Sequence, residues 1–517
     1  MVNDLVIIFE VHQPYRISRK INEKLNLLRK ISPEELEHLY FDETTNREIF
    51  ERVYSKCYKP ATQILINLAK KSKEEGRSFK IAFSFSGIFL EQAQSYTPDF
   101  LNLINELIDL NAAELIAQTY FHSLVSLFKS HDEFIEQIKM HIKIIQEIFG
   151  IRPQIFENTE FLYNNKIAKT VEDLNFHAIL TEGTERILEW RSPNYVYKAK
   201  NLNIKLLLRN YRLSDDISFR FTSRTWSEWP LTADKYSEWI KKSNGDIIVL
   251  AMDYETFGEH NWPESGIHEF LYWFPIEAWK RDIRFISPSQ AIEKHSPVDE
   301  IDVPENNTIS WADEERNTSA WLGNILQKHN FDSIESIERL VKILNNKHYL
   351  RLWRLLTISD HYYYMSMKGG DTGAVHSYFS HFSSPLEAFI VFTRAITDLN
   401  LRIQEELRKP EYLYYRLIKI EVPDTFKFKF YKGFGEELGI RAGNLIQLIE
   451  HLKNIEINSI EFHMERGDIA RWIKDVLGDY ELSKRIRKIQ GLHGEELRKE
   501  LISILQNRIK ELSYTHK

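Results

Sequence analysis

Residues 246–260 read DIIVLAMDYETFGEH. The run Ile247–Met252 is wholly apolar, and three acids, Asp253, Glu255 and Glu259, follow it closely. A short apolar run without alternation reads as a strand buried on both faces, as in a parallel sheet. Acids at the carboxyl end of such a strand fit a barrel active site, which is built from strand ends. A strand leaving a core can also end on any polar residue, so the other strands decide the meaning.

Similar runs recur at LVIIFEV (5–11), FKIAFSFS (79–86), AELIAQT (113–119), PQIFENT (153–159), FHAILTE (176–182), IKLLLRN (204–210) and IRFISP (283–288). Between most of them lie segments with helical period, such as ATQILINLAKKSKEE (61–75) and DEFIEQIKMHIKIIQEIF (132–149). Apolar strands alternating with helices predict parallel βα units, and seven or eight of them within the first 290 residues predict a closed or nearly closed barrel. An open, doubly wound sheet is the alternative. No Gly-rich phosphate loop follows any strand, which weighs against it.

The polar stretch KHSPVDEIDVPENNT (294–308) reads as a linker. Helical patterns follow, including SIERLVKIL (336–344) and HYLRLWRLLTISDHYYYM (348–365). Ser32-Pro33-Glu34-Glu35 and Ser384-Pro385-Leu386-Glu387 are predicted helix starts of the capping-box type. FKFKFY (426–431) alternates as a half-exposed strand does, and charged helices come after it. The expected domains are a barrel (1–293), a helical bundle (309–410) contributing to the active-site cleft, and a small α+β unit (415–517).

The chain has 517 residues and a net charge of −7 without a basic stripe, which argues against nucleic acid as a partner. A single cysteine, Cys57, excludes a disulfide framework, and its Tyr-flanked helical setting makes it structural. The first residues carry two acids and no basic n-region, and no apolar stretch reaches about 18 residues. A cytoplasmic protein with no membrane span is therefore expected. The charge-rich, Cys-poor composition fits a thermophile. Aromatic residues make up 13% of the chain, enough to furnish either a large core or a sugar-binding cleft.

Chemistry-bearing residues collect at the predicted strand exits. His12 follows the first strand, Glu91 the second and His122 the third; Glu160 follows the fourth, and Asp253 ends the seventh, with Glu255 and His260 just beyond. A barrel brings these exits to one face. Two carboxylates from different strands suit glycoside cleavage, one as nucleophile and one as proton donor. None of the 18 histidines is three or four residues from another, which removes the helical metal signatures but leaves open a site assembled from distant strands. No G-x-S-x-G elbow is present.

VHQPY (11–15), GIFLEQ (87–92), ENTEFLYN (157–164), MDYETFGEH (252–260) and TSAWLGN (318–324) resemble, in order, the five motifs of glycoside hydrolase family 57, with YFDETTNREIFERVYSKCY and RNYRLSDDISFRF resembling its α-amylase-type branch. The resemblance covers about residues 1–400 and implies an incomplete (β/α)7 TIM-like barrel, a helical domain after it, and a retaining enzyme of α-glucans that needs no cofactor or metal. It implies Glu160 as nucleophile and Asp253 as general acid/base. It implies His12, Glu91, His122, Trp226, His260, Trp321 and Asp360 as substrate-site residues. Glu10 departs from the family pattern, in which some members carry His two positions before the HQP motif. The tail from about 415 resembles a small uncharacterised domain found beside other sugar-metabolism proteins. The expected activity is α-amylase-type hydrolysis. A 4-α-glucanotransferase on the same residues, a metal-dependent polysaccharide deacetylase and a glycogen-binding regulator are the alternatives.

Overall fold

The apolar runs are strands in the computed structural model, which describes residues 2–25 and 31–514. They are β1 (Asp4–Val11), β2 (Ile81–Phe85), β3 (Ala113–Leu115), β4 (Ile155–Glu157), β5 (Ala178–Glu182), β6 (Val196–Ala199), β7 (Lys205–Arg209), β8 (Ile247–Asp253), β9 (Arg284–Phe285) and β10 (Glu300–Ile301). Parallel pairing runs β8–β1–β2–β3 on one side and β4–β5–β7 on the other. Two thin seams join the sides. A parallel bridge between Ala117 and Phe156 links the end of β3 to β4, and one residue pair, Arg209 with Val249, links β7 to β8. Seven parallel strands thus make a ring, an incomplete TIM-like barrel. β6 lies antiparallel on β7, and β10 extends it.

Side chains alternate along each strand, and the two faces build two cores. Leu5, Ile7, Phe9 and Val11 face outward with Ile248, Leu250 and Met252, against the helices Lys59–Glu74, Asp99–Asp109 and Ile267–Trp279. Val6 and Ile8 face inward with Ala82, Ile116, Ile155, Ala178, Leu180, Leu207, Val249 and Ala251. The inward series then turns polar two residues further on in every strand: Glu10, Ser84, Gln118, Glu157, Glu182, Arg209 and Asp253. Strand register confirms the layer, because Glu10 pairs with Ser84 on one side and Asp253 on the other. The interior is therefore apolar below and ionisable at the carboxyl mouth.

Three expectations change. The last predicted strand shrinks to Arg284–Phe285, because Ser287 already caps the helix Pro288–Lys294 through a full capping box with Gln290. The stretch 294–308 is not a free linker: Glu300–Ile301 pairs with β6, and Ile301 and Val303 are buried. At 32–35 Ser32 N donates to Glu35 Oε2, but the helix starts only at Leu36.

Two compact units divide the chain, residues 1–335 with 354–396, and residues 336–353 with 397–517. The second contains a hydrophobic core built within residues 413–512. It contains the antiparallel pair β11 (Phe428–Tyr431) and β12 (Glu437–Ala442), with Phe428 and Phe430 turned inward and Lys429 between them half-exposed. No described helix is long and apolar enough to cross a membrane.

Candidate active site

Glu160 sits just past β4 in left-handed backbone (φ 59°, ψ 25°), and Phe161 beside it is left-handed too (φ 55°). Non-glycine residues adopt this conformation at a cost, typically where a functional side chain must be aimed. Asn158 holds the turn, its amide donating to the Leu162 carbonyl (2.9 Å) and to Ser126 Oγ (2.9 Å). The Glu160 carboxylate accepts from Trp311 Nε1 (2.8 Å) and Ser359 Oγ (3.1 Å), and His122 Nε2 lies 3.4 Å from Oε1. Two donors thus fix the orientation of the Glu160 carboxylate.

Asp253 ends β8 on the inward face. Burial raises its carboxyl to about 7, with the Glu160 charge the next largest cause. One carboxyl thus accepts from two donors, while its neighbour keeps its proton to near neutrality as a general acid must. Glu255 belongs to the wall: it accepts from Tyr58 Oη and from Gln13 Nε2 (3.3 Å), and Gln13 also donates to Tyr58. The loop is fastened further by Cys57 Sγ on the Tyr254 carbonyl (3.0 Å) and Arg52 on Glu259 (2.6 Å). Gly258 (φ 139°) passes so close to Lys56 that a Cβ there would lie 2.1 Å from its carbonyl oxygen.

His12 and His122 stack, with ring centroids 4.0 Å apart. Burial, then the neighbouring His122, lowers His12 to about 4. A neutral His12 donates from Nε2 to Asp360 Oδ2 (3.0 Å) and accepts at Nδ1 from Ser86 Oγ (2.8 Å). Ser86 also caps the helix Gly87–Tyr96, receiving Phe89 N–H. Burial alone would raise Asp360, but His12 and His122 hold it well below the usual carboxylate range.

Beside these lies a closed square of ion pairs. Arg209 contacts Glu182 (2.9 Å) and Asp215 (2.6 Å), and Arg316 contacts the same two acids (2.8 and 3.0 Å). Arg316 also donates to the Trp311 carbonyl, and the Arg209 guanidinium lies over the Trp311 ring. The square thereby anchors the loop that brings Trp311 to Glu160.

His12, His122, Glu160, Asp253 and Asp360 come together. Glu91 stands on the helix after β2 and receives hydrogen bonds from Tyr15 and Tyr120. His260 packs edge-on to Phe379 (5.2 Å between centroids), and burial lowers it to about 4. Trp226 packs against Trp239 and the outward-facing core. Trp321 has no exposed surface and stands as core beside Tyr363. The sequence reading missed Trp311, Ser359, Gln118 and the ion-pair square. Trp311 is a lone tryptophan in a polar stretch and carries no sequence signal.

The buried acids set a pH dependence of stability. Burial raises Glu157 and Glu255 from an ordinary 4.5 to about 8. Between those values the folded chain keeps protons that the unfolded chain has lost. Their contribution is therefore fullest below about pH 4.5 and falls as pH rises through 8. At ~1.4 kcal/mol per pH unit, each group weakens the fold by on the order of a few kcal/mol across that window. Glu157→Gln and Glu255→Gln are expected to gain stability relative to wild type at pH 8 but not at pH 4.5, read by urea unfolding at both.

A seven-stranded parallel barrel with a donor-held carboxylate and a carboxyl raised to about 7 at its mouth carries the pair of acids that a barrel glycosidase would need. The chain belongs to glycosyl hydrolase family 57, whose sequence pattern matches residues 6–304. Residues 423–517 match a family of unknown function, DUF5752. A Methanocaldococcus jannaschii protein named "Putative alpha-amylase" is 44% identical over 78% of this chain and 85% of its own length. A Thermococcus litoralis 4-alpha-glucanotransferase is 24% identical over 45% of this chain and 33% of its own. Among solved structures, a branching enzyme of the family from Thermococcus kodakaraensis has the same fold (TM-score 0.55, 15% identity, 81% of this chain and 92% of that one).

Proposed function

We propose that the chain is a retaining α-glucan hydrolase of the α-amylase type that cleaves α-1,4-glucosidic bonds. The observation that carries this reading is the pairing of Glu160, held by Trp311 and Ser359, with Asp253, raised to about 7. Glu160 attacks the anomeric carbon while protonated Asp253 gives its proton to the departing glycosidic oxygen. A glycosyl ester on Glu160 results. The Asp253 carboxylate then takes a proton from water, whose oxygen attacks the same carbon and frees Glu160. His12 and Asp360 lie beside these groups as sugar contacts, and His122 as a partner of Glu160. The names of the relatives support an α-glucan as substrate.

Incubation with maltoheptaose and sizing of the products tests this directly. Hydrolysis raises the number of reducing ends. Products redistributed in length with reducing ends conserved would instead mean glucan transfer, in which a sugar hydroxyl replaces water. Activity on acetylated polysaccharide that a chelator abolishes would mean deacetylation.

We also propose that the catalytic part ends before the tail. Every group named above precedes residue 397, and the tail's core is made within 413–512. A chain ending near 412 leaves residues 336–353 and 397–412 of the second unit with the catalytic part and removes the 413–512 core whole, so it is expected to keep its rate on maltoheptaose within about twofold. An insoluble or inactive truncation would show the tail to be part of the catalytic fold.

A further inference from the structure

The proposed chemistry leaves one buried acid unused. Glu10 is 3% exposed, and neither carboxyl oxygen has a hydrogen-bond partner among the described residues. A buried carboxyl without partners is costly, so its place calls for a reason. Its inward register puts it level with Asp253, and its Oε1 is 3.3 Å from His122 Nδ1. The same nitrogen is 3.0 Å from Gln118 Oε1. The Gln118 amide nitrogen donates to Ser84 O (3.2 Å) and Oγ (3.0 Å), so the oxygen is the atom turned to His122, and Nδ1 carries a proton. The opposite ring nitrogen, Nε2, lies 3.4 Å from Glu160. His122 itself has left-handed backbone (φ 50°), so its ring depends on its neighbours for its aim.

We propose that Glu10 is a positioning residue: Gln118 takes the hydrogen bond of His122 Nδ1, and the Glu10 oxygen 3.3 Å from the same nitrogen backs that contact electrostatically and packs the ring so that Nε2 faces Glu160. The inference rests on Glu160 being the nucleophile. Glu10 is also faced by Glu157, Glu160, Asp253 and Glu255, and burial with these like charges pushes its carboxyl well up. A carboxyl pushed up in this way holds its proton more readily than an ordinary glutamate, and the oxygen turned to Nδ1 stays a potential acceptor.

The test compares Glu10→Gln, Glu10→Met and Glu10→Leu, alone and with His122→Phe, in the full chain on maltoheptaose. Glu10→Met is expected to lower kcat about 10–100-fold with KM within about twofold, because a misaimed catalytic group loses rate rather than binding. Glu10→Gln keeps an acceptor oxygen and is expected to stay within about threefold of wild type. With His122 already replaced, Glu10→Met should change kcat by less than about twofold, since the residue acts through the ring. Replacing one of several crowded acids by an apolar isostere is expected to leave the fold intact, and Glu10→Leu supplies a second apolar variant if Met does not fold. Losses that multiply in the double variant, or a Gln variant as poor as Met, overturn the proposal. So does an unchanged kcat in Glu10→Met. If Glu160→Ala keeps full activity, the nucleophile reading fails first. If Glu160→Ala is inactive while Glu10→Met is unimpaired, only the role of Glu10 falls.

Discussion

Glu160→Ala is expected to abolish turnover of both maltoheptaose and an α-glucosyl fluoride, since no glycosyl-enzyme forms without the nucleophile. Asp253→Ala is expected to separate the two substrates. A sugar leaving group is a strong base and needs its proton in the transition state, so maltoheptaose cleavage should fall by about 10³–10⁴-fold. Fluoride leaves as a stable anion, and formation of the glycosyl-enzyme from it should survive. Azide should rescue both variants with opposite stereochemistry: β-glycosyl azide from Glu160→Ala by direct attack, and α-glycosyl azide from Asp253→Ala by attack on the intermediate. The same anomer from both, or equal loss of both substrates in Asp253→Ala, would show the roles to be misassigned. Glu255 is no substitute, because Tyr58 and Gln13 already hold its carboxyl in the wall. With Asp253 raised to about 7, kcat/KM should decline above that pH as the acid loses its proton. Glu160→Gln, which removes the neighbouring charge, should lower the pH at which Asp253 titrates, as followed by the side-chain carboxyl signal in NMR.

The second large effect is expected at Arg209. It is 3% exposed, and Glu182 beside it is fully buried. Arg209→Met leaves Glu182 and Asp215 facing each other with Arg316 alone between them. Breaking one side of a buried network costs about 3–5 kcal/mol, because charges stay buried without compensation. The Ala251 carbonyl also loses its guanidinium donor. The double variant Arg209→Met/Glu182→Gln should recover part of that loss, since it removes one stranded acid along with the base. Guanidinium unfolding of the three proteins measures this. Activity should fall as well, by about tenfold, because the square anchors the loop that presents Trp311 to Glu160. A stable, fully active Arg209→Met would mean that the square neither holds the fold nor positions the loop.

Much of the barrel was legible in the chain because parallel strands are buried on both faces and so write continuous apolar runs. Seven of the eight such runs named from the sequence overlay the strands that make the ring. The eighth shrank to Arg284–Phe285, where helix capping by Ser287 outcompeted strand pairing. β6 and β10 were missed, since short, half-polar edge strands lack that pattern. His12, Glu160 and Asp253 could be read for a similar reason: each lies at or just past a strand end, and strand ends converge in any barrel.

By itself the sequence determined the alternation of apolar and helical segments, and so a parallel barrel with acids at its mouth. It also carried the ordered motifs by which Glu160 and Asp253 stand out from 75 acidic residues. Only the tertiary structure decided which groups surround that pair. Trp311 and Ser359 reach Glu160 across 151 and 199 positions of chain, and Asp360 reaches His12 across 348. Hydrogen bonds are short-ranged and directional, so partners that far apart in sequence leave no spacing to read. The same limit hid the different fates of two tryptophans, with Trp311 bonded to Glu160 and Trp321 sealed in the core. Burial and neighbouring charge, which raise both Asp253 and Glu10, are properties of packing, and they exist only once the strands have closed.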